Sequence, residues 1–105
     1  MRIIQLDGSS WKTPLDFYQA LFDAIEQGYP HGMGVDAFID SMIYRGMGGI
    51  EPPYMIRVVN LTGTPKAVRD DVSMMITALQ DARQERAENY GVDVEVSIVA
   101  PELSQ

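Results

Sequence analysis

The three strand-like runs of this chain never adjoin in sequence, and that spacing constrains the fold more than any other feature. Arg2 to Leu6 is a short apolar run ended by Asp7-Gly8, a turn signal. Tyr54 to Val59 is mostly apolar, which predicts a strand buried on both faces. Val92 to Val99 alternates apolar and polar residues, as an edge strand with one wet face does. Helical periodicity fills the intervals. Strands joined through helices favour a parallel sheet with right-handed crossovers. The expected order is β-α-α-β-α-β: an α/β fold in which three to four helices pack on a three-stranded parallel sheet.

Thr13-Pro14 opens the first helix. Threonine caps well, and proline loses nothing at the first helical position. Asp16 falls in the first turn, where a carboxylate suits the helix dipole. Phe17, Leu21, Ala24 and Ile25 recur at helical spacing, so the helix should run from Pro14 to about Gln27, with Gly28 as its stop. Tyr29 to Gly34 reads as a loop. Val35, Phe38, Ile39 and Met42 then form the apolar stripe of a short second helix, expected to face the sheet. Gly46 to Gly49 and Pro52-Pro53 break the chain before the central strand. After the turn Thr62-Gly63-Thr64-Pro65, the positions Val68, Val72, Met75, Leu79 and Ala82 trace a long helix ending before Gly91, with an interruption expected near Asp70-Asp71. Pro101 to Gln105 reads as a tail.

The chain has 105 residues, 46% of them hydrophobic, so it can bury a core without staples. One domain spanning 1–105 is the expectation. It has no cysteine, which excludes disulfides and thiolate chemistry. No run approaches the roughly 20 apolar residues of a membrane span. The start Met1-Arg2-Ile3-Ile4-Gln5-Leu6-Asp7 is too short in apolar length for a signal peptide, so a cytoplasmic protein is expected. On the same ground Asn60-Leu61-Thr62 is a chance match to a glycosylation sequon. Fifteen acidic residues against eight basic ones give a formal charge of −7. That balance argues against direct contact with nucleic acid or an anionic membrane and suits a basic protein partner. It also serves solubility.

The candidate site is the second helix. Asp36 and Asp40 lie four residues apart, about 40° around the helix axis, and project from one face. Taken alone, they read more readily as a solvated acidic face, and Asp36 has the helix dipole to favour it. Paired-carboxylate or metal-assisted hydrolysis through Asp36, Asp40 and His31 is the competing enzymatic reading. The spacing matches no metal motif, and no cofactor is expected. Methionines on the helical stripes read as core filler, and Trp11 as a cover for the start of the first helix.

The segment Gly32-Met33-Gly34-Val35-Asp36-Ala37-Phe38-Ile39-Asp40-Ser41-Met42 resembles the second-helix motif of the barstar family of ribonuclease inhibitors. The opening strand with Asp7-Gly8 and the helix led by Asp16-Phe17 are similar to the family's first third. Pro53 to Val58 looks like its central strand, Leu79 to Arg83 like its last helix, and Gly91 to Val96 like its closing strand. The resemblance implies a non-enzymatic inhibitor or immunity protein, monomeric when free, whose partner is a basic nuclease or toxin. By the same resemblance Asp40 would enter the substrate phosphate pocket, Asp36 would meet a neighbouring basic side chain, and Asp81 would add a third carboxylate. Three features depart from the family pattern, one being extra residues near Gly46–Gly49 and between Gln84 and Gly91. Ile39 stands where the family has an aromatic residue, and Pro30-His31 replaces an aromatic pair, with Tyr29 displaced by one. Ile39, Tyr29, His31 and Tyr44 are therefore the candidates for altered partner contacts, and the target is expected to differ from barnase.

Overall fold

The computed structural model describes residues 1–25, 34–44 and 49–103. The order is β1 (Arg2–Asp7), α1 (Pro14–Ile25), α2 (Val35–Met42), β2 (Tyr54–Val59), α3 (Lys66–Tyr90) and β3 (Val96–Val99). The three strands form one parallel sheet in the order β1-β2-β3, as the alternation of strands with helices predicts. Register places Ile4 beside Ile56 and Ile56 beside Ile98, with Leu6 beside Val58. These side chains line the face toward the helices, where Phe17, Leu21, Val68, Val72, Met75 and Leu79 complete the core.

The central strand differs from its sequence reading. Tyr54, Ile56 and Val58 are buried, but Met55 and Val59 are only half-buried and Arg57 is exposed. The helices cover one face of the sheet, so an apolar run here marks the middle of the sheet without marking burial on both sides. β3 also starts later than alternation suggests. Val92 to Glu95 lie outside the strand; Val94 is buried, and the Val96 N–H donates to its carbonyl at 2.8 Å, a tight turn just before the strand.

Local chemistry fixes the helix ends. The Asp16 carboxylate reaches back to accept the amides of Lys12 (2.8 Å) and Thr13 (3.1 Å), half of a capping box. Those two amides, Lys12 first, hold its carboxyl below the usual range. Trp11 is buried with its ring 5.5 Å from that of Phe17, covering the helix start as expected. α1 ends at Ile25; Gln27 and Gly28 lie outside the described residues. α3 is continuous through Asp70-Asp71, because both residues fall off the buried Val68/Val72/Met75 stripe and interrupt nothing. It stops at Gly91 in the left-handed region, φ 68°.

Gly49 holds the chain close to the end of α1. Its φ is 100°, and a Cβ there would stand 2.8 Å from the Ile25 carbonyl oxygen, which accepts the Ile50 amide at 3.0 Å. Both the backbone region and the space demand glycine. Gly49→Ala is expected to lower stability by at least about 1 kcal/mol. Denaturant unfolding should show this as a reduced midpoint at unchanged slope.

Candidate functional site

α2 is an eight-residue helix whose two faces differ. Phe38, Ser41 and Met42 are buried, and Phe38 is fully enclosed. Its ring stacks on that of Tyr18 in α1, with centroids 5.8 Å apart and planes at 16°. The helix packs on α3 as well as on Tyr18 of α1. A helix this short is marginal alone and is held by that packing.

Asp36 and Asp40 stand on the other side. Each lies two residues from Phe38, so about 160° of helix rotation separates their side chains from the buried ring. Both are exposed, and among the described residues no hydrogen bond or ion pair engages either carboxylate. Gly34 caps the helix without a side-chain bond, so Asp36 is the only side-chain charge that its first turn offers to the dipole. The result is a pair of like charges fixed at one spacing by a buried aromatic anchor, with no partner among the described residues.

The other candidates divide. Ile39 is half-buried and packs against the core, so it contributes at most an edge to a contact surface. Tyr44, just past α2, is 39% exposed, and the Arg86 guanidinium lies 5.1 Å from its ring centroid, with Tyr90 on the same cation at 5.9 Å. This cation–π contact ties the end of α2 to α3. Asp81 is exposed on α3, two residues past buried Leu79 and so about 200° around the helix from it. No bond joins Asp81 to α2. Tyr29 and His31 lie outside the described residues, as do Met33 and Met47. Among the described residues no group of three or more metal-ligating side chains comes together. No helix among them is long and apolar enough to cross a membrane.

Two carboxylates that the sequence reading passed over are engaged. Asp93 takes Arg83 in a two-pronged pair, Nε to Oδ1 at 2.6 Å and Nη2 to Oδ2 at 2.9 Å, and the arginine holds its carboxyl below the usual range. Glu102, assigned to a tail, is bound at the far end of β2. Neither pairing has a local sequence signature: the first spans ten residues and the second more than forty.

Fold and site together define a small α/β protein that presents an acidic helix from a helical layer on a parallel sheet. Residues 1–99 match the family profile described as Barstar (barnase inhibitor), and the chain belongs to the Barstar family. No curated protein matches it.

Proposed function

We propose that this chain inhibits a basic nuclease by inserting the carboxylates of α2 into its phosphate-binding site, with Asp40 as the central group and Asp36 beside it. One observation carries the reading: Asp36 and Asp40 share an exposed face with no partner among the described residues, on a helix whose opposite face is locked into the core. A pocket built for phosphate offers arginine and lysine, and carboxylates at fixed spacing satisfy the same donors. Family membership supports inhibition as the activity. The net charge of −7 supports steering toward a basic partner. The half-buried aliphatic Ile39 supports a target other than barnase, because no aromatic ring precedes Asp40 to stack on the enzyme.

The test is RNA hydrolysis by a panel of small basic microbial ribonucleases, barnase included, with and without the purified chain. Stoichiometric loss of activity in at least one enzyme, restored when Asp40 is removed, is the expected outcome. Inhibition that ignores both α2 aspartates would overturn the assignment of the site. Inhibition of none would overturn ribonuclease as the target class and favour a toxin of other chemistry. Association with the inhibited enzyme should also slow as salt rises, since the Debye length falls from about 10 Å at 0.1 M to about 3 Å at 1 M. Stopped-flow measurement across that range should show a steep fall in the association rate and a much smaller change in dissociation.

A further inference from the structure

A cleft of about 370 Å³ opens at the amino edge of the sheet, between Pro53 just ahead of β2 and Val94 ahead of β3. Arg86 of α3 lines it. The carbon of its guanidinium lies 5.1 Å from the ring centroid of Tyr44 and 5.9 Å from that of Tyr90. Among the described residues no hydrogen bond or ion pair engages this cation, and its Nε is enclosed without an acceptor. The two Nη groups are therefore the part that the cleft can reach. A guanidinium gives its faces to aromatic rings and its in-plane N–H groups to oxyanions. At Arg86 the rings are in place and the oxyanion is not.

We infer that Arg86 reads an acidic side chain on the protein that α2 engages, an inference that rests on the function proposed above. The cleft adjoins the acidic helix through Tyr44, which lies two residues past Met42 at the end of α2 and holds Arg86 under its ring. Glu51, Asp93 and Glu95 also line the cleft, yet no ion pair joins Arg86 to any of them, and Asp93 is taken by Arg83. Those carboxylates make the cleft a poor host for a free anion, which would meet their field with nothing else to hold it. A carboxylate carried by a docked protein does not depend on Arg86 alone, because the contacts at α2 already keep it in place. The device adds specificity. Asp36 and Asp40 suit any strongly basic surface. A cation held beside them rejects a surface that is basic throughout and accepts one that offers an Asp or Glu at that point.

The test uses the full chain against each ribonuclease of the panel that it inhibits. Arg86→Glu makes the chain two charges more acidic, so steering alone predicts faster and tighter binding to a basic enzyme. The inference predicts the reverse: affinity at least about tenfold weaker, through faster dissociation. Arg86→Lys keeps a cation over the rings but loses the planar fork, and its affinity should fall between those of Arg86→Glu and the unsubstituted chain. Alanine replacement of each Asp and Glu bordering the enzyme's phosphate-binding site then identifies the matching group. One of them should couple with Arg86→Lys by at least about threefold in a double-mutant cycle. An Arg86→Glu chain that binds as tightly as the unsubstituted one would overturn the inference. So would weakening that couples to no carboxylate of the enzyme, which would make Arg86 only a support for the end of α2. Inhibition lost in Asp40→Ala and kept in both Arg86 variants leaves the proposed function standing and removes this inference. A panel in which no enzyme is inhibited removes both.

Discussion

Asp40→Ala should weaken binding of the target nuclease by at least about 30-fold, and leave the thermal midpoint of the free protein unchanged or slightly raised. The first half follows from the complex: truncating one member of a desolvated charge pair costs about 2–5 kcal/mol, a general range to which the family's barnase–barstar complex itself contributed measurements. The second half follows from the free structure, in which Asp40 is exposed and no bond engages its carboxylate among the described residues. Removing it also relieves a like-charge neighbour at i,i+4, worth a few tenths of a kcal/mol in the stabilising direction. Affinity by titration calorimetry and stability by thermal unfolding should therefore move independently. The comparison variant matters. Asp93→Ala is a poor neutral control, because Asp93 is held by Arg83 and its loss releases a paired guanidinium. Asp70→Ala removes the same charge from an exposed pair with Lys66, which contributes little, and is the better control. Affinity that falls equally in the Asp70 and Asp40 variants would reduce the effect to net charge and remove Asp40 from the centre of the interface.

Phe38→Ala should do the opposite, unfolding the presenting helix while leaving its charges in place. Phe38 is fully buried and stacked on Tyr18. Truncating a buried phenylalanine costs about 3–5 kcal/mol. Against a total of about 5–15 kcal/mol for a domain of this size, that is a large fraction. The midpoint should fall by roughly 15–30 °C. Binding should weaken as well, because an eight-residue helix does not hold its shape without packing. A drop of only a few degrees would mean that α2 is not anchored through Phe38, and the fixed spacing of the two carboxylates would lose its support. The pair of variants separates charge from scaffold: one removes the ligand group, the other its mounting.

Much of this architecture is legible in the sequence, for a physical reason. Helical stripes and strand-like runs are local patterns, and their alternation leaves a parallel sheet as the economical solution. The long stripe Val68/Val72/Met75/Leu79 and the stop at Gly91 are read correctly because both depend on neighbours within a few residues. Asp36 and Asp40 are legible as one exposed face because helix geometry alone sets their angle. What escapes is what depends on contacts distant in sequence. Nothing around Glu102 predicts that it meets residues 60–62, which the sequence offers only as a chance sequon. The stripe of α2 shows that it must be buried, but not that Tyr18 and α3 take part in covering it. The approach Val92–Glu95 alternates like a strand, yet strand pairing begins only at Val96, opposite Tyr54.

That pairing carries a consequence for how the molecule forms. Arg2 pairs with Tyr54, and Tyr54 with Val96, so the two ladders join residues about fifty and about forty positions apart. No hairpin can seed this sheet, and each ladder must close a long loop before it gains its first hydrogen bond. Topologies dominated by such distant contacts assemble slowly for their size. The central strand acquires its second neighbour only when Val96–Val99 arrive, so a chain interrupted before that point has one edge of β2 unpaired and open to other strands.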